Sequence, residues 1–342
     1  MRSIAALMAA AVVLSLTAAP ASACACGGFV SSDANASPGD ELALIHWDGR
    51  VETLIMQLGL ESNADDAALV VPTPTPAVAA SASPALFEEL RAMTAPRVEH
   101  TWQWWPDTGG GDDTAGARGG PGAPTALAQV QLGPIEATTL TGGDLDGLTS
   151  WLTEHGYVMR SEMLASLAPY TREGWSFVAM RLTSPQPLDG ALDPVKLTFD
   201  ADRLVYPMRM SAAARDAERV RLYAVSEHRL QRTDPDAAGQ YTDYPFAGWV
   251  RTASDADLAE MIGGSAFLTE MYVDVYDPSR ITSDFTFERA PQDTEYRAVV
   301  HETTDVSGYV VLAGVALIVI AIVLLAVVLL WRRRRVARPL LQ

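Results

Sequence analysis

Residues 41–58 read ELALIHWDGRVETLIMQL, and this stretch decides what kind of fold the chain can adopt. Apolar and polar residues alternate through 41–47, which is typical of a β-strand because successive side chains point to opposite faces. Asp48-Gly49 follows, and a second strand-like run extends over residues 50–58. An Asp-Gly pair between two such runs indicates a tight β-hairpin. The sequence therefore predicts an antiparallel hairpin early in the chain.

Short helices and further strands follow this hairpin. A helix is predicted to begin at Ser83-Pro84, since serine favours the N-cap and proline the first helical position, and to end before Pro96. Other helices are predicted over 145–155, 161–168 and 256–262. Further strands are predicted over 67–71, 97–105, 127–140, 175–182, 194–199, 204–210, 219–225 and 267–276. Strands with inserted helices favour an α+β domain with a mixed or antiparallel sheet.

The N-terminal end has the three parts of a secretory signal peptide. Met1-Arg2 gives a weakly positive start, residues 4–16 form an apolar run, and Ala21-Ser22-Ala23 supplies small residues before Cys24. We therefore expect residues 1–23 to be a signal peptide.

The other apolar block covers residues 309–331, which are 23 residues without a charge. About 20 helical residues cross a bilayer, so this block predicts a transmembrane helix. Tyr309 and Trp331 flank it, and arginines at 332–335 place that end in the cytoplasm by the positive-inside rule. The predicted order is an extracytoplasmic α+β domain (24–290), a stalk (291–308), the span (309–331) and a basic cytoplasmic tail (332–342). The protein is thus predicted to cross the cell membrane once, with its N-terminal domain outside.

Charge and composition restrict the function. The chain has 342 residues, 49% of them apolar, and a formal net charge of −17. All 42 acidic residues but only 19 of the 25 basic residues lie between residues 24 and 308, so this part carries −23. Such a surface argues against nucleic-acid binding. It would attract cations or basic partners, or serve only to keep the domain soluble.

The sequence contains few residues in patterns typical of catalytic or metal-binding sites. The five histidines are scattered, and the chain has no zinc-ligand spacing, serine elbow, Walker loop or dinucleotide fingerprint. No metal or cofactor is therefore predicted. Cys24 and Cys26 are the only cysteines. We expect a disulfide between them, although lipidation of Cys24 and two free thiols stay open as alternatives.

Two further segments are distinctive. Trp102 and Trp104 share one face of a predicted strand, and they form a possible surface aromatic site that could stack on sugars or peptides. Residues 107–124 are rich in Gly, Asp, Ala and Pro without apolar periodicity, which predicts a flexible insertion.

Several short segments, taken in order, resemble one bacterial family. They are CGGF (26–29), the Asp48-Gly49 hairpin, LVVPTP (69–74), LFEEL (86–90) with TAPR (94–97), residues 152–157, LAPY (167–170), VAMR (178–181), YPMR (206–209) and ITSDF (281–285). This order is similar to that of the family catalogued as domain of unknown function 2330. The resemblance implies an exported, often membrane-tethered protein with no established activity, and it transfers no catalytic residue.

Two functions from different classes remain. The first is a membrane-anchored, non-enzymatic module that binds an envelope protein or wall component. The alternative is a cell-surface hydrolase whose acid and base come from scattered carboxylates such as Glu88, Asp200 or Asp284. An enzyme would bring such groups together in a concave pocket with perturbed pKa values, whereas a binding module would present a groove or patch.

Overall fold

The structure is a computed structural model, and it describes residues 21–24, 27–31, 37–63, 66–103, 136–140, 145–154, 157, 159, 161–183 and 190–336. These residues fall into two compact units. The larger unit takes the described residues up to Ala95 and those from 136 to Arg297. The smaller unit takes residues 96–103 and 298–336.

The secondary structure of the described residues alternates short helices with many strands. The helices are α1 (Ala85–Thr94), α2 (Leu145–Glu154), α3 (Ser161–Arg172), α4 (Ala256–Ile262) and α5 (Ser307–Val336). The strands are β1 (Ala21–Cys24), β2 (Gly27–Ser31), β3 (Ser37–Trp47), β4 (Val51–Glu61), β5 (Asp66–Thr73), β6 (Val78–Ser81), β7 (Arg97–Gln103), β8 (Glu136–Leu140), β9 (Ser176–Thr183), β10 (Gly190–Ala191), β11 (Val195–Asp200), β12 (Val205–Tyr206), β13 (Glu218–Ser226), β14 (Leu230–Arg232), β15 (Tyr241–Val250), β16 (Ala266–Val275), β17 (Phe285–Arg289), β18 (Tyr296–Arg297) and β19 (Val299–Asp305). Short 3-10 helices cover Arg209–Ala213, Ala237–Gly239 and Pro278–Arg280.

The largest sheet is built around the predicted hairpin, which is confirmed as β3 and β4. Its strand order is β18-β15-β16-β13-β3-β4-β11-β6, with β10 beside β4. The β3–β13 pair is parallel, and the other pairs in this sheet are antiparallel. The turn falls on Gly49 and Arg50, one residue later than predicted, because the Asp48 N–H already bonds to the Val51 carbonyl at 3.2 Å. Gly49 has φ +99°, a conformation that glycine adopts without strain.

A second sheet, in the order β1-β2-β5-β9-β8, packs against one face of the first. Ala43 and Ile45 of β3 share an apolar cluster with Leu69 and Val71 of β5, and these side chains are at most 2% exposed. Full burial of such a side chain contributes about 1.5–3 kcal/mol, so the space between the two sheets is the principal core of the larger unit. A small third sheet, β12-β17-β14, contributes residues such as Tyr206 to the same cluster.

Helices cover the outer faces of both sheets. On the five-stranded sheet, Val70 of β5 packs with Leu152 of α2 and Leu167 of α3. On the nine-stranded sheet, Leu44 of β3 packs with apolar residues of α1 and α4. The larger unit is therefore layered as helix, sheet, sheet and helix, which confirms the α+β prediction. It also explains why β3 is buried on both faces rather than half-exposed.

Two segments differ from the sequence prediction. Helix α3 was predicted to end at residue 168, but it continues through Pro169 to Arg172. A strand was predicted over 204–210, but only β12 is extended, and the chain turns into a 3-10 helix from Arg209. Both differences bring polar groups to the Asp284 carboxylate.

The smaller unit consists of a two-stranded ribbon and α5. Strands β7 and β19 pair in parallel, with Arg97 opposite Val299 and Gln103 opposite Asp305. Within residues 291–308, which the sequence predicts to be a stalk, β18 pairs with β15 and β19 pairs with β7. Helix α5 contains a candidate membrane span at Tyr309–Arg333, with a mean hydropathy of 3.4 and no buried residue in its most apolar window.

Buried carboxyl groups are an unusual feature of the core. Glu41 is 2% exposed and Glu52 is fully buried. The Tyr206 hydroxyl donates to Glu41, and the Val205 N–H donates to Glu52 Oε2 at 3.1 Å. Burial raises the pKa of Glu52 well above its ordinary value. Glu52 therefore favours its neutral form inside the fold.

Glu218, at the start of β13, belongs with these acids. It lies two residues before Val220, which pairs with Glu41 across the parallel strands. Burial raises the pKa of the Glu218 carboxyl to about 8, the Ser211 hydroxyl partly counters this, and the Glu41 carboxyl adds to the rise.

Glu218→Gln should make the fold less sensitive to pH. The unfolded chain loses the Glu218 proton near the ordinary pKa of 4.5, whereas the folded state keeps it up to about pH 8. Stability therefore falls as the pH rises through this window and is level above it. The variant should melt at a higher temperature than the parent at pH 8, with little difference at pH 4.5.

Thermal unfolding of the full chain in detergent, followed by circular dichroism between pH 4.5 and 9, measures this difference. A gain of 1 kcal/mol corresponds to about 2–4 °C for a unit of this size. Glu88→Gln, at an exposed position of α1, is the matched control, and its melting temperature should change with pH as that of the parent does. If the melting temperature of Glu218→Gln changes with pH as steeply as that of the parent, the raised pKa of Glu218 is wrong.

Candidate functional site

An open cleft of about 500 Å³ lies in the larger unit, where the β3–β4 turn, the end of β11 and the α3–β9 loop meet. Its charged and aromatic lining residues are Arg50, Glu173, Trp175, Asp200, Asp202 and Arg203. The lining thus combines both signs of charge with an indole ring. Its volume falls in the range of small-molecule binding sites.

One side of the cleft is fixed by the β3–β4 turn. The Asp48 carboxylate accepts the Arg50 N–H at 2.9 Å, and the Arg50 carbonyl accepts the Ala201 N–H at 2.8 Å. The Trp47 indole N–H donates to the Ala201 carbonyl at 3.0 Å. The Arg50 guanidinium lies 3.4 Å from the Asp200 carboxylate, and both side chains are largely exposed. The backbone here is held firmly, while the two charged groups stay open to a ligand.

The opposite side is supported from behind by the Asp284 carboxylate, which is 8% exposed. Its Oδ1 accepts hydrogen bonds from the Tyr170 hydroxyl at 2.5 Å, the Met208 N–H at 2.8 Å and the Arg209 N–H at 3.0 Å. Its Oδ2 accepts from Arg209 Nε at 2.8 Å. Burial raises the pKa of Asp284, and the Arg209 charge and these donors oppose that rise.

Arg209 carries the support from Asp284 to the cleft wall. Its two terminal nitrogens donate to the two carboxylate oxygens of Glu173 at 2.5 and 2.7 Å, and this pairing lowers the pKa of Glu173. The guanidinium carbon lies 4.1 Å from the centre of the Tyr170 ring and 5.6 Å from that of Trp175. The Tyr170 and Trp175 ring centres are 4.9 Å apart. Glu173 and Trp175 are therefore held in place by a two-pronged ion pair and by ring contacts.

The segments that carry the family resemblance meet at this point. LAPY supplies Tyr170, YPMR supplies Arg209 and ITSDF supplies Asp284, while LVVPTP ends at Pro74 in the cleft lining. Sequence reasoning missed Glu173, Trp175 and Arg209 as site residues. The only sequence feature that pointed to Arg209 was its place in one of those segments, because nothing in residue spacing reveals a partner 75 positions away.

The three carboxylates of the hydrolase hypothesis do not come together. Asp200 lines the cleft. Asp284 lies behind the cleft wall with both oxygens hydrogen-bonded. Glu88 is exposed on α1, the helix that packs on the outer face of the nine-stranded sheet.

The predicted aromatic and cysteine sites are only partly within the described residues. Trp102 lies on β7, 59% exposed and opposite Thr304 of β19. Cys24 is the last residue of β1. Trp104, Cys26 and the insertion at 107–124 lie outside the described residues. The aromatic site and the disulfide therefore stay predictions.

Ser226, His228 and Asp293 are linked by hydrogen bonds and are the residue types of a hydrolytic triad. His228 Nδ1 lies 2.9 Å from an Asp293 oxygen, but the Ser226 hydroxyl bonds to the His228 backbone carbonyl. This hydroxyl is thus not aligned with the imidazole as a nucleophile would be. Within the part of the chain that the structure describes, no three His, Cys, Asp or Glu side chains are grouped to hold a metal ion.

Fold and site together define a layered α+β domain with a polar cleft, followed by a helix long and apolar enough to span a membrane. The family model "Uncharacterized protein conserved in bacteria (DUF2330)" matches residues 20–288. The chain belongs to this family, as its short segments indicated. No curated protein matches it. Among solved structures, the crystal structure of baculovirus P35 matches 74% of this chain and 97% of that one, with 8% identity and a TM-score of 0.40, a likeness too distant to inform fold or function.

Arg209→Lys should destabilise the larger unit, because an ammonium group cannot make the paired bonds to Glu173 while also donating to Asp284. We expect a loss of at least about 2 kcal/mol, since each hydrogen bond to a charged group contributes about 1.5–3 kcal/mol. Denaturant unfolding of the full chain in detergent measures the loss. Arg203→Lys, at an exposed cleft position, is the matched control and should change stability little. Equal stabilities of the two variants would contradict the supporting role of Arg209.

Proposed function

We propose that this protein is a membrane-anchored binding module of the bacterial cell envelope. In this proposal, residues 1–23 direct export and α5 crosses the cell membrane once, with the larger unit outside and the arginine-rich tail in the cytoplasm. The cleft lined by Glu173 and Trp175 binds a wall component. The protein does not need a catalytic centre for this role.

The character of α5 supports the anchor. The span is uncharged from Tyr309 to Trp331, and no part of its most apolar window is buried in the protein. A core helix of a soluble protein would be covered by other elements, whereas a lipid-facing helix exposes its side chains as α5 does. The arginines that follow favour a cytoplasmic C-terminus.

The cleft itself is the observation that carries the binding role. Glu173 and Trp175 are fixed by Arg209, while Arg50, Asp202 and Arg203 present exposed charged groups to the same space. A fixed aromatic ring beside carboxylate and guanidinium groups suits a ligand with flat apolar faces and polar edges. Sugar rings with attached peptide amines and carboxylates, as in wall polymers, have this chemistry.

The electrostatics favour binding over hydrolysis. A carboxylate pair needs one member with a raised pKa to donate a proton at neutral pH. The pairing with Arg209 lowers the pKa of Glu173, so it stays ionised. Burial raises the pKa of the carboxyl groups of Glu52, Glu218, Glu270 and Asp284. None of these four belongs to the cleft lining.

Trp175→Ala should weaken binding of soluble wall glycan–peptide fragments at least tenfold, which is about 1.4 kcal/mol. Calorimetric titration of the full chain in detergent measures the Kd. Arg203→Gln tests the same cleft at an exposed position that the fold does not depend on, and it should also weaken binding. Trp249→Ala, which removes a 44% exposed tryptophan of β15 away from the cleft, is the matched control.

The outcomes separate the hypotheses. If the fragments do not bind, and crosslinking in intact cells instead captures an envelope protein through the cleft, the ligand class is wrong. If the fragments are cleaved, the protein is a hydrolase and the non-enzymatic role is wrong. Equal affinities of all three variants would remove the cleft from the proposal.

The topology makes a separate prediction. Protease added to intact cells should remove the larger unit, and a tag placed after Gln342 should stay protected until the cells are lysed. Immunoblotting of both ends measures this. A protected larger unit beside an accessible tag would reverse the proposed orientation.

A further inference from the structure

The β7–β19 ribbon places an exposed tryptophan beside the start of the proposed membrane span. Trp102 is opposite Thr304 in the parallel register. Only Val306 separates the end of β19 from the beginning of α5, and the Val306 carbonyl already accepts the helical N–H of Val310 at 3.2 Å. The strand therefore passes directly into the helix.

The distance from Trp102 to the membrane can be bounded from this connection. From Thr304 to Tyr309 the chain advances by two extended and three helical steps, which is about 11 Å at most. The headgroup layer on each side of the hydrocarbon is about 5–8 Å deep. A tilt of the ribbon shortens the height of Trp102 above the bilayer, and the indole ring adds its own length toward it. Trp102 is thus within reach of the headgroup layer.

We propose that Trp102 is an interfacial membrane anchor, with its indole in the headgroup layer of the bilayer that α5 crosses. This inference rests on the proposed membrane span. It assigns the exposed tryptophan of the ribbon to lipid rather than to a sugar or peptide ligand. Indole rings favour this layer because they are apolar and also carry an N–H donor.

The surrounding charges specify which lipid chemistry fits. Three carboxylates on the ribbon, those of Glu99, Glu302 and Asp305, outnumber its single arginine, Arg97, and would repel anionic headgroups. The attraction must then come from the indole rather than from charge. Anchoring should therefore occur on zwitterionic phosphatidylcholine, and it should depend little on salt.

Quenching of tryptophan fluorescence by bromine-labelled lipid tests the proposal. The full chain is placed in phosphatidylcholine nanodiscs with or without brominated acyl chains. Trp102→Phe should lower the fraction of fluorescence that the brominated lipid quenches, to a degree comparable with Trp331→Phe at the far end of the span. Trp47→Phe is the matched control and should leave that fraction unchanged, because the Trp47 indole packs against the apolar core of the larger unit.

Each result has one meaning. If Trp331→Phe lowers the quenching but Trp102→Phe does not, the span is inserted and the interfacial role of Trp102 is wrong. If aqueous iodide instead quenches the Trp102 contribution in nanodiscs, the indole faces solvent and is available to a sugar or protein. If neither Trp331→Phe nor Trp102→Phe matters, the membrane anchor in the proposed function fails as well.

Discussion

The Asp284 carboxylate accepts four hydrogen bonds inside the protein, and the geometry of the cleft depends on them. A buried charge is costly unless donors surround it, so the fold must bring Tyr170, Met208 and Arg209 to one place. This requirement explains why α3 continues past Pro169 as far as Arg172. It also explains why the chain leaves the strand after Tyr206, since an extended backbone could not turn two successive N–H groups toward one carboxylate oxygen.

The same interaction divides the site into a supporting part and a presenting part. Arg209 is neutralised on both sides, by Asp284 within the fold and by Glu173 at the cleft wall. Its charge therefore holds the wall in place and does not attract a ligand. The exposed groups of Arg50, Asp202 and Arg203 remain for recognition. A cleft built in this way can keep its shape while its rim adapts to a polar ligand.

Local sequence patterns predicted helices and strands, but they did not predict which of them meet at the candidate site. The β3–β4 hairpin, α1 and α4 follow from alternation, capping and glycine signals within about 20 residues. Helix α4 has its predicted bounds, whereas the hairpin turn and the start of α1 lie one residue later than predicted. Asp284 could be read only as a residue in a turn, because its partners lie 75 to 114 positions away. The β7–β19 pairing joins residues 202 positions apart, so the strand within the predicted stalk could not be recognised without its partner. Chemistry that depends on distant segments is therefore hidden from a single sequence.

The β7–β19 ribbon of the smaller unit has few interactions of its own to stabilise it. A two-stranded sheet is marginal in water, and a parallel pair is slightly weaker than an antiparallel one. The cross-strand pairs His100–Glu302 and His301–Glu99 are exposed, with closest atoms 3.3 and 3.7 Å apart, and such pairs contribute at most about 1 kcal/mol each. Continuity with α5 fixes the end of β19. An indole held at the bilayer surface from Trp102 would also hold the end of β7, so the helix and the tryptophan would together constrain both strands of the ribbon.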